Sequence, residues 1–279
     1  MIKSILLAID GSNYTEAALK EGIDFAKIFD AHLRVLTVID IRIFEWAVAI
    51  GVEGFAPIIP STAYQEESQK LLEEKADKVL DMASKVLKEA GPSFELEKES
   101  GSPVEIICEK SRLADLIIMG CRGEFGPWRG KMLGATLEAV TRLSVKPVMV
   151  TQKEHKKLSH ILLAYDGSVN SNKSLPWAGD LAKRTGADLT IMTINNDEKE
   201  ADNILNEAIK YLDSYKISGI NKIVREGDPE VKIIETCKEI KADLILMGSY
   251  GHSRIREAIL GSTTVQVMRR SIVPILMVK

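Results

Sequence analysis

The sequence predicts an α/β protein of two tandem copies, each a five-stranded, mostly parallel sheet flanked by helices. Three observations predict it. The chain repeats itself, its apolar segments alternate between strand-like runs and helix-like stripes, and its 279 residues suit two domains of roughly 100–200 residues each.

The repeat fixes the organisation before any motif is read. Ser4-Ile5-Leu6-Leu7-Ala8-Ile9-Asp10-Gly11-Ser12 returns as Ser159-His160-Ile161-Leu162-Leu163-Ala164-Tyr165-Asp166-Gly167-Ser168. Ala31–Thr37 matches Ala187–Thr193, and Gly101-Ser102-Pro103 matches Gly227-Asp228-Pro229. Ala114–Gly120 matches Ala242–Gly248, and both copies close on a short apolar run after Pro147 and Pro274. The charged, aperiodic stretch Thr151–Leu158 reads as a linker, giving units 1–151 and 159–279.

Within each copy the predicted order is strand, helix, strand, helix, strand, helix, strand, helix, strand. Runs such as Ile5–Ile9 and Leu116–Met119 are continuously apolar, as parallel strands covered on both faces should be. Strands alternating with helices imply right-handed crossovers and a doubly wound sheet. Leu72, Ala76, Val79, Leu80, Ala83, Val86 and Leu87 form one helical stripe, stopped at Gly91-Pro92. In the second copy the stripe is Ile204, Leu205, Ala208, Ile209 and Leu212. Asn13 with Glu16 three residues on offers a weak cap for the first helix.

Composition narrows the function classes. With 37 basic and 40 acidic residues the net charge is −3, which supports neither a nucleic-acid nor a membrane-surface partner. Aromatics are 5% against 45% hydrophobic residues, so the cores must be aliphatic. Cys108, Cys121 and Cys237 form no CxxC pair, and with no signal peptide fitting the first residues the expected location is the cytoplasm. The apolar stretch Trp46–Pro60 is interrupted by Gly51, Glu53 and Gly54 and is too short for a membrane helix. The wider segment Ile41–Thr62 has no counterpart in the second copy and reads as a lid or interface patch, which leaves a homodimer open.

In an open parallel sheet, ligands gather at the carboxyl ends of the strands, where strand order reverses. Asp10 and Asp166 are expected there, at the end of the first strand of each copy, and Gly120 and Gly248 after the fourth. The second copy then reads Gly248-Ser249-Tyr250-Gly251, nine residues, and Gly261-Ser262-Thr263-Thr264. Glycines let backbone approach phosphate oxygens closely. A helix opening at Gly261-Ser262 offers free amides and a positive dipole end to an anion, and the hydroxyls of Ser262 and Thr263 add donors.

This pattern, following Ala242-Asp243-Leu244-Ile245-Leu246-Met247 and the opening Ile161–Ser168, resembles the universal stress protein family over nearly the whole chain, twice. The resemblance implies a Rossmann-like fold of the adenine nucleotide alpha hydrolase-like type, and pairing of the two copies through their last strands as an intramolecular pseudo-dimer. It also implies a ligand, ATP, with or without Mg2+. In these terms Asp166 lies by the adenosine part and the backbone at Ile194 against adenine. Gly248 and Gly251 approach the ribose and phosphates, and His252, Gly261, Ser262 and Thr263 surround the phosphates. The first copy departs from the pattern: after Gly120-Cys121-Arg122-Gly123 come ten residues, including Pro127 and Trp128, before Gly134, and Ala135 replaces the serine. Weak or no ATP binding is expected there.

No Walker A, GxGxxG, HExxH or GxSxG sequence is present. Cys121 reads as a buried, inert thiol, and His32, His155 and His160 as surface residues. Three functions stay open: an ATP-holding regulatory module acting in the stress response through an unidentified protein partner, a slow ATPase or phosphotransferase, and a scaffold without nucleotide.

Overall fold

The run Ile5-Leu6-Leu7 shows why the strands read as unbroken apolar segments. The computed structural model describes residues 2–40, 62–123, 132–217, 219–249 and 261–279, and in it β1 (Ser4–Ala8) is central to its half. Ile5 and Leu7 belong to one core layer and Leu6 to the other, and all three are fully buried. A strand covered on both faces has no place for a polar alternate residue. Ile161-Leu162-Leu163 divides between the same two layers.

The N-terminal half continues with β2 (His32–Asp40), β3 (Phe94–Gly101), β4 (Leu116–Gly120) and β5 (Val148–Thr151). The C-terminal half holds β6 (His160–Ala164), β7 (Asp188–Ile194), β8 (Ile220–Arg225), β9 (Leu244–Gly248) and β10 (Ile275–Val278). Pairing within each half is parallel, in the orders β3-β2-β1-β4-β5 and β10-β9-β6-β7-β8. β5 and β10 pair antiparallel, Met149 opposite Leu276, and join the two sheets edge to edge into ten strands.

The connecting helices are α1 (Thr15–Phe29), α2 (Thr62–Ala90), α3 (Pro103–Lys110) and α4 (Ala135–Leu143) in the first half. The second half has the single turn α5 (Val169–Asn172), then α6 (Leu175–Thr185), α7 (Glu198–Leu212), α8 (Pro229–Glu239) and α9 (Ser262–Arg270). On α2 the predicted stripe buries Ala76, Val79, Leu80, Ala83 and Leu87. That helix stops where Gly91 takes φ 80° and returns its N–H to the Leu87 carbonyl. The predicted Asn13/Glu16 cap does not form. Tyr14 is at the cap position without a side-chain cap bond, and its N–H goes to the Ser12 hydroxyl at 3.3 Å, one residue earlier than predicted. Glu16 instead pairs with Lys20 at 2.7 Å.

Side chains clasp the two halves beyond the strand pair. Phe29 of α1 meets Trp177 of α6 edge-on at 6.5 Å, and the Arg184 guanidinium lies 5.2 Å from the Phe29 ring centre. Lys279, just past β10, donates to the carbonyls of Thr141 and Ser144 at the end of α4, where a cation also suits the helix dipole. Burial pushes the Lys279 amine down to about 8. The linker is held as well, by a 2.8 Å contact between His155 Nε2 and Asp24. None of the three histidines expected at the surface is fully exposed: His32 is held by Ser93 and His160 by Thr190. Glu21 on α1 is only 6% exposed. Burial, with Asp24 and Asp243 adding repulsion, pushes its carboxyl up to about 8.

Candidate functional site

Each half has one place where neighbouring strands lead their connections away in opposite directions: between β1 and β4, and between β6 and β9. The carboxyl ends of β6, β7 and β9 lie side by side there, with Ala164 in register with both Met192 and Met247.

The C-terminal mouth is built from the strand ends outward. Asp166 lies two residues past the end of β6 rather than on its last position. Its Oδ1 accepts the Ser168 N–H at 3.0 Å, and Gly167 turns the chain at φ 73°. Ser168 then accepts the Ser171 N–H and caps α5. This places α5 against Gly248: a Cβ there would come within 2.8 Å of the backbone C and O of Asn170 and the N of Ser171. Backbone of a capped turn cannot step aside cheaply, so only glycine fits. Ser249 then donates its N–H to Val278 at 2.8 Å and accepts the Thr264 hydroxyl at 3.1 Å, which fixes the first turn of α9 beside the end of β9.

Gly261 is the N-cap of α9, at φ −56° and ψ 139°. Val265 donates the first helical bond, to Gly261, so the helix itself has no use for the amides of Ser262, Thr263 and Thr264. Ser262 is exposed and Thr263 half-buried. Thr264, which sequence reasoning gave no role, is 2% exposed and braces the loop. Ile194 ends β7, half-buried. The structure thus brings Asp166, Ile194, Gly248, Gly261, Ser262 and Thr263 to one edge of the sheet, while Gly251 and His252 lie outside the described residues. The chemistry of this edge is that of an anion cradle: amides, a dipole end and an exposed hydroxyl.

The N-terminal mouth repeats the start of this design and then departs from it. Asp10 accepts the Ser12 N–H at 3.0 Å, and Gly11 turns at φ 78°. Gly120 is pressed by Tyr14, whose Cβ lies 2.6 Å from where a Cβ would be. The described ends of the loop then bond to each other. Gly134 gives its N–H to the Cys121 carbonyl at 3.1 Å, and Arg122 Nε donates to Met132 at 2.9 Å. The Asp10 carboxylate lies 2.8 Å from the place of a Cβ on Gly123. Behind this loop is a cavity of about 690 Å3, between the carboxyl ends of β1, β2 and β4 and the face of α2, a size common for small-molecule sites. Its wall includes Thr37, Asp40 and Lys75, which the sequence reading missed. Lys75 could have been noticed, because it interrupts the stripe Leu72-Ala76-Val79. The inserted Pro127 and Trp128, and 41–61 of the apolar insertion, lie outside the described residues.

The thiols of Cys108, Cys121 and Cys237 are free, and burial raises all three, Cys237 to about 11. Among the described residues no group of three or more His, Cys, Asp or Glu side chains could hold a metal, and no helix is long and apolar enough to cross a membrane.

Comparison with known proteins decides the lineage. The profile of the universal stress protein family matches residues 1–152 and again 157–279. The chain belongs to the universal stress protein family. A universal stress protein of Synechocystis is 30% identical over 99% of this chain and 99% of its own. Among solved structures, a universal stress protein from Archaeoglobus fulgidus is 28% identical with a TM-score of 0.77, covering 99% of this chain and 96% of that one. A shorter solved universal stress protein, in complex with cAMP, is 30% identical over 44% of this chain and 98% of its own, at a TM-score of 0.40. The tandem match agrees with the duplicated mouths, and the fold is that of the family's nucleotide-type α/β domain.

Proposed function

We propose that this universal stress protein is a nucleotide-responsive regulatory module whose C-terminal half holds an adenine nucleotide, ATP foremost, with or without Mg2+. The observation that carries the reading is the first turn of α9. Its free amides and the exposed Ser262 hydroxyl stand beside Gly248, at a strand end where no side chain fits. Asp166 and the end of β7 at Ile194 flank that edge and offer a hydroxyl acceptor and a backbone edge to a nucleoside. A few charge-assisted hydrogen bonds, each worth roughly 1.5–3 kcal/mol, suffice for micromolar binding.

Occupancy of this mouth would change how the protein meets its partners, and turnover is not required. The test is a calorimetric titration of the full chain with ATP, ADP, AMP and GTP, beside Gly261→Val. Valine is compatible with the backbone angles at 261, so the fold should persist, but its branched side chain would fill the phosphate approach. One equivalent of adenine nucleotide in the wild type and none in the variant are expected. Unchanged ATP affinity in the variant would remove the reading.

A further inference from the structure

We propose that the linker 152–158 is a proton-controlled strap: it stays closed over Glu21 while that side chain carries its proton, and it lets go when the proton leaves. The proposal uses neither mouth and does not depend on the nucleotide reading.

The strap is tied at two points. In its middle, His155 Nε2 lies 2.8 Å from the Asp24 carboxylate on α1. A carboxylate can only accept, so the ring donates. At its far end Ser159 gives both its N–H and its hydroxyl to Asp243, at 3.0 and 2.6 Å, and the His160 N–H joins them at 3.1 Å. Asp243 immediately precedes β9. One carboxylate in each half therefore fastens the strap.

Glu21 is beside both ties. It is 6% exposed and stands one helical turn before Asp24. The two charges that act on it are those of Asp24 and Asp243 themselves, and both repel. Among the described residues it has no hydrogen-bond or ion-pair partner. The nearby bases are engaged elsewhere. Lys20 of α1 pairs with Glu16 at 2.7 Å, and Arg184 of α6 with Asp180 at 2.8 Å. On β2, His32 is held by Ser93, and Arg34 by Glu95 and Glu97. Strands β1, β4 and β5 bring no ionisable side chain to α1, and no charge of α2 acts on Glu21. Lys156 and Lys157 of the strap itself are exposed.

A buried carboxyl with only like charges around it is tolerated as the acid and penalised as the anion. Ionised in place, Glu21 would also push on the two carboxylates that hold the strap. Opening the strap admits water, and the carboxyl then ionises at its ordinary 4.5 instead of about 8. Opening is thus coupled to the release of one proton. The strap is held fully below about pH 4.5, loosens as pH rises to about 8, and gains no further freedom above that. The β5–β10 pair still joins the halves when it opens.

The test is hydrogen exchange on the full chain between about pH 5 and 9.5, corrected for the intrinsic effect of pH and read at the Ser159 and His160 amides. Their opening constant should rise about tenfold per pH unit up to about pH 8 and then level off. In Glu21→Gln it should be flat. His155→Ala should open the strap roughly tenfold more at every pH, one lost charge-assisted bond, and keep the wild-type slope. The proposal is overturned by any of four results: a flat wild-type profile, the same slope in Glu21→Gln, no loosening in His155→Ala, or Ser159 and His160 amides that exchange as slowly as those of Leu162 and Leu163 in β6. The last would mean that the segment opens only with the whole fold.

Discussion

The two glycine loops leave the sheet in the same way and part within a few residues. Gly120 and Gly248 both end a fourth strand under a close neighbour, Tyr14 in one half and the Asn170–Ser171 backbone in the other. Beyond them the described ends of the N-terminal loop bond to each other, Gly134 to Cys121 and Arg122 to Met132. The C-terminal loop braces itself with Thr264 and leaves Ser262 exposed. Among the described residues, the halves thus differ in where the donors are used. In sequence the two loops differ by one residue in length and by Ala135 in place of Ser262. The helices that follow the first strands differ in the same spirit. At one equivalent position α1 carries the buried Glu21 and α6 carries Trp177.

The largest effect expected comes from that helix pair. Glu21 titrates near 8 in the folded chain against 4.5 unfolded. The folded state holds the proton, so its relative stability is complete below about pH 4.5 and is lost progressively as pH rises through 8. Glu21→Gln should remove this loss and stabilise the chain at pH 9 by on the order of 4 kcal/mol, with little gain at pH 4. Urea unfolding at the two pH values checks it, and an equal gain at both would mean that Glu21 is not buried as described.

Next come the strand-end glycines. Gly248→Ala would push on backbone and Gly120→Ala on the Tyr14 Cβ. Each should cost about 1–3 kcal/mol in chemical denaturation. Only Gly248→Ala should also reduce ATP affinity, which would assign the nucleotide to one half. The smallest effect belongs to the hydroxyl itself. Ser262→Ala should weaken ATP by roughly 0.5–1.5 kcal/mol, read as a several-fold rise in Kd. The reciprocal Ala135→Ser should not create an ATP site, because the Gly134 amide would still be engaged. A second equivalent of ATP in Ala135→Ser would erase the distinction between the loops.

The strands and their order were legible because burial on both faces forces continuous apolar runs, and the repeat doubled every signal. Gly248 was legible because a tight approach admits no other residue, and spacing alone brought Gly261 and Ser262 to the same edge. The Asn13 cap was misread because capping depends on backbone angles that place Ser12, one residue earlier, within reach of the Tyr14 amide. The cavity was not legible at all. An empty volume has no residue of its own, and it arises from where α2 lies over Ala76 and Val79. Lys75 was its single trace in the pattern.

The antiparallel joint between β5 and β10 has a geometric consequence. Since each half is internally parallel, the joint reverses the direction of every strand across the molecule, and the two mouths open on opposite rims of one continuous plate. No single small molecule can bridge them. A partner touching both rims would have to reach the molecule from two sides, and the contacts that join the halves between them are the β5–β10 pair, the Phe29–Trp177 contact and the Lys279 clasp on α4.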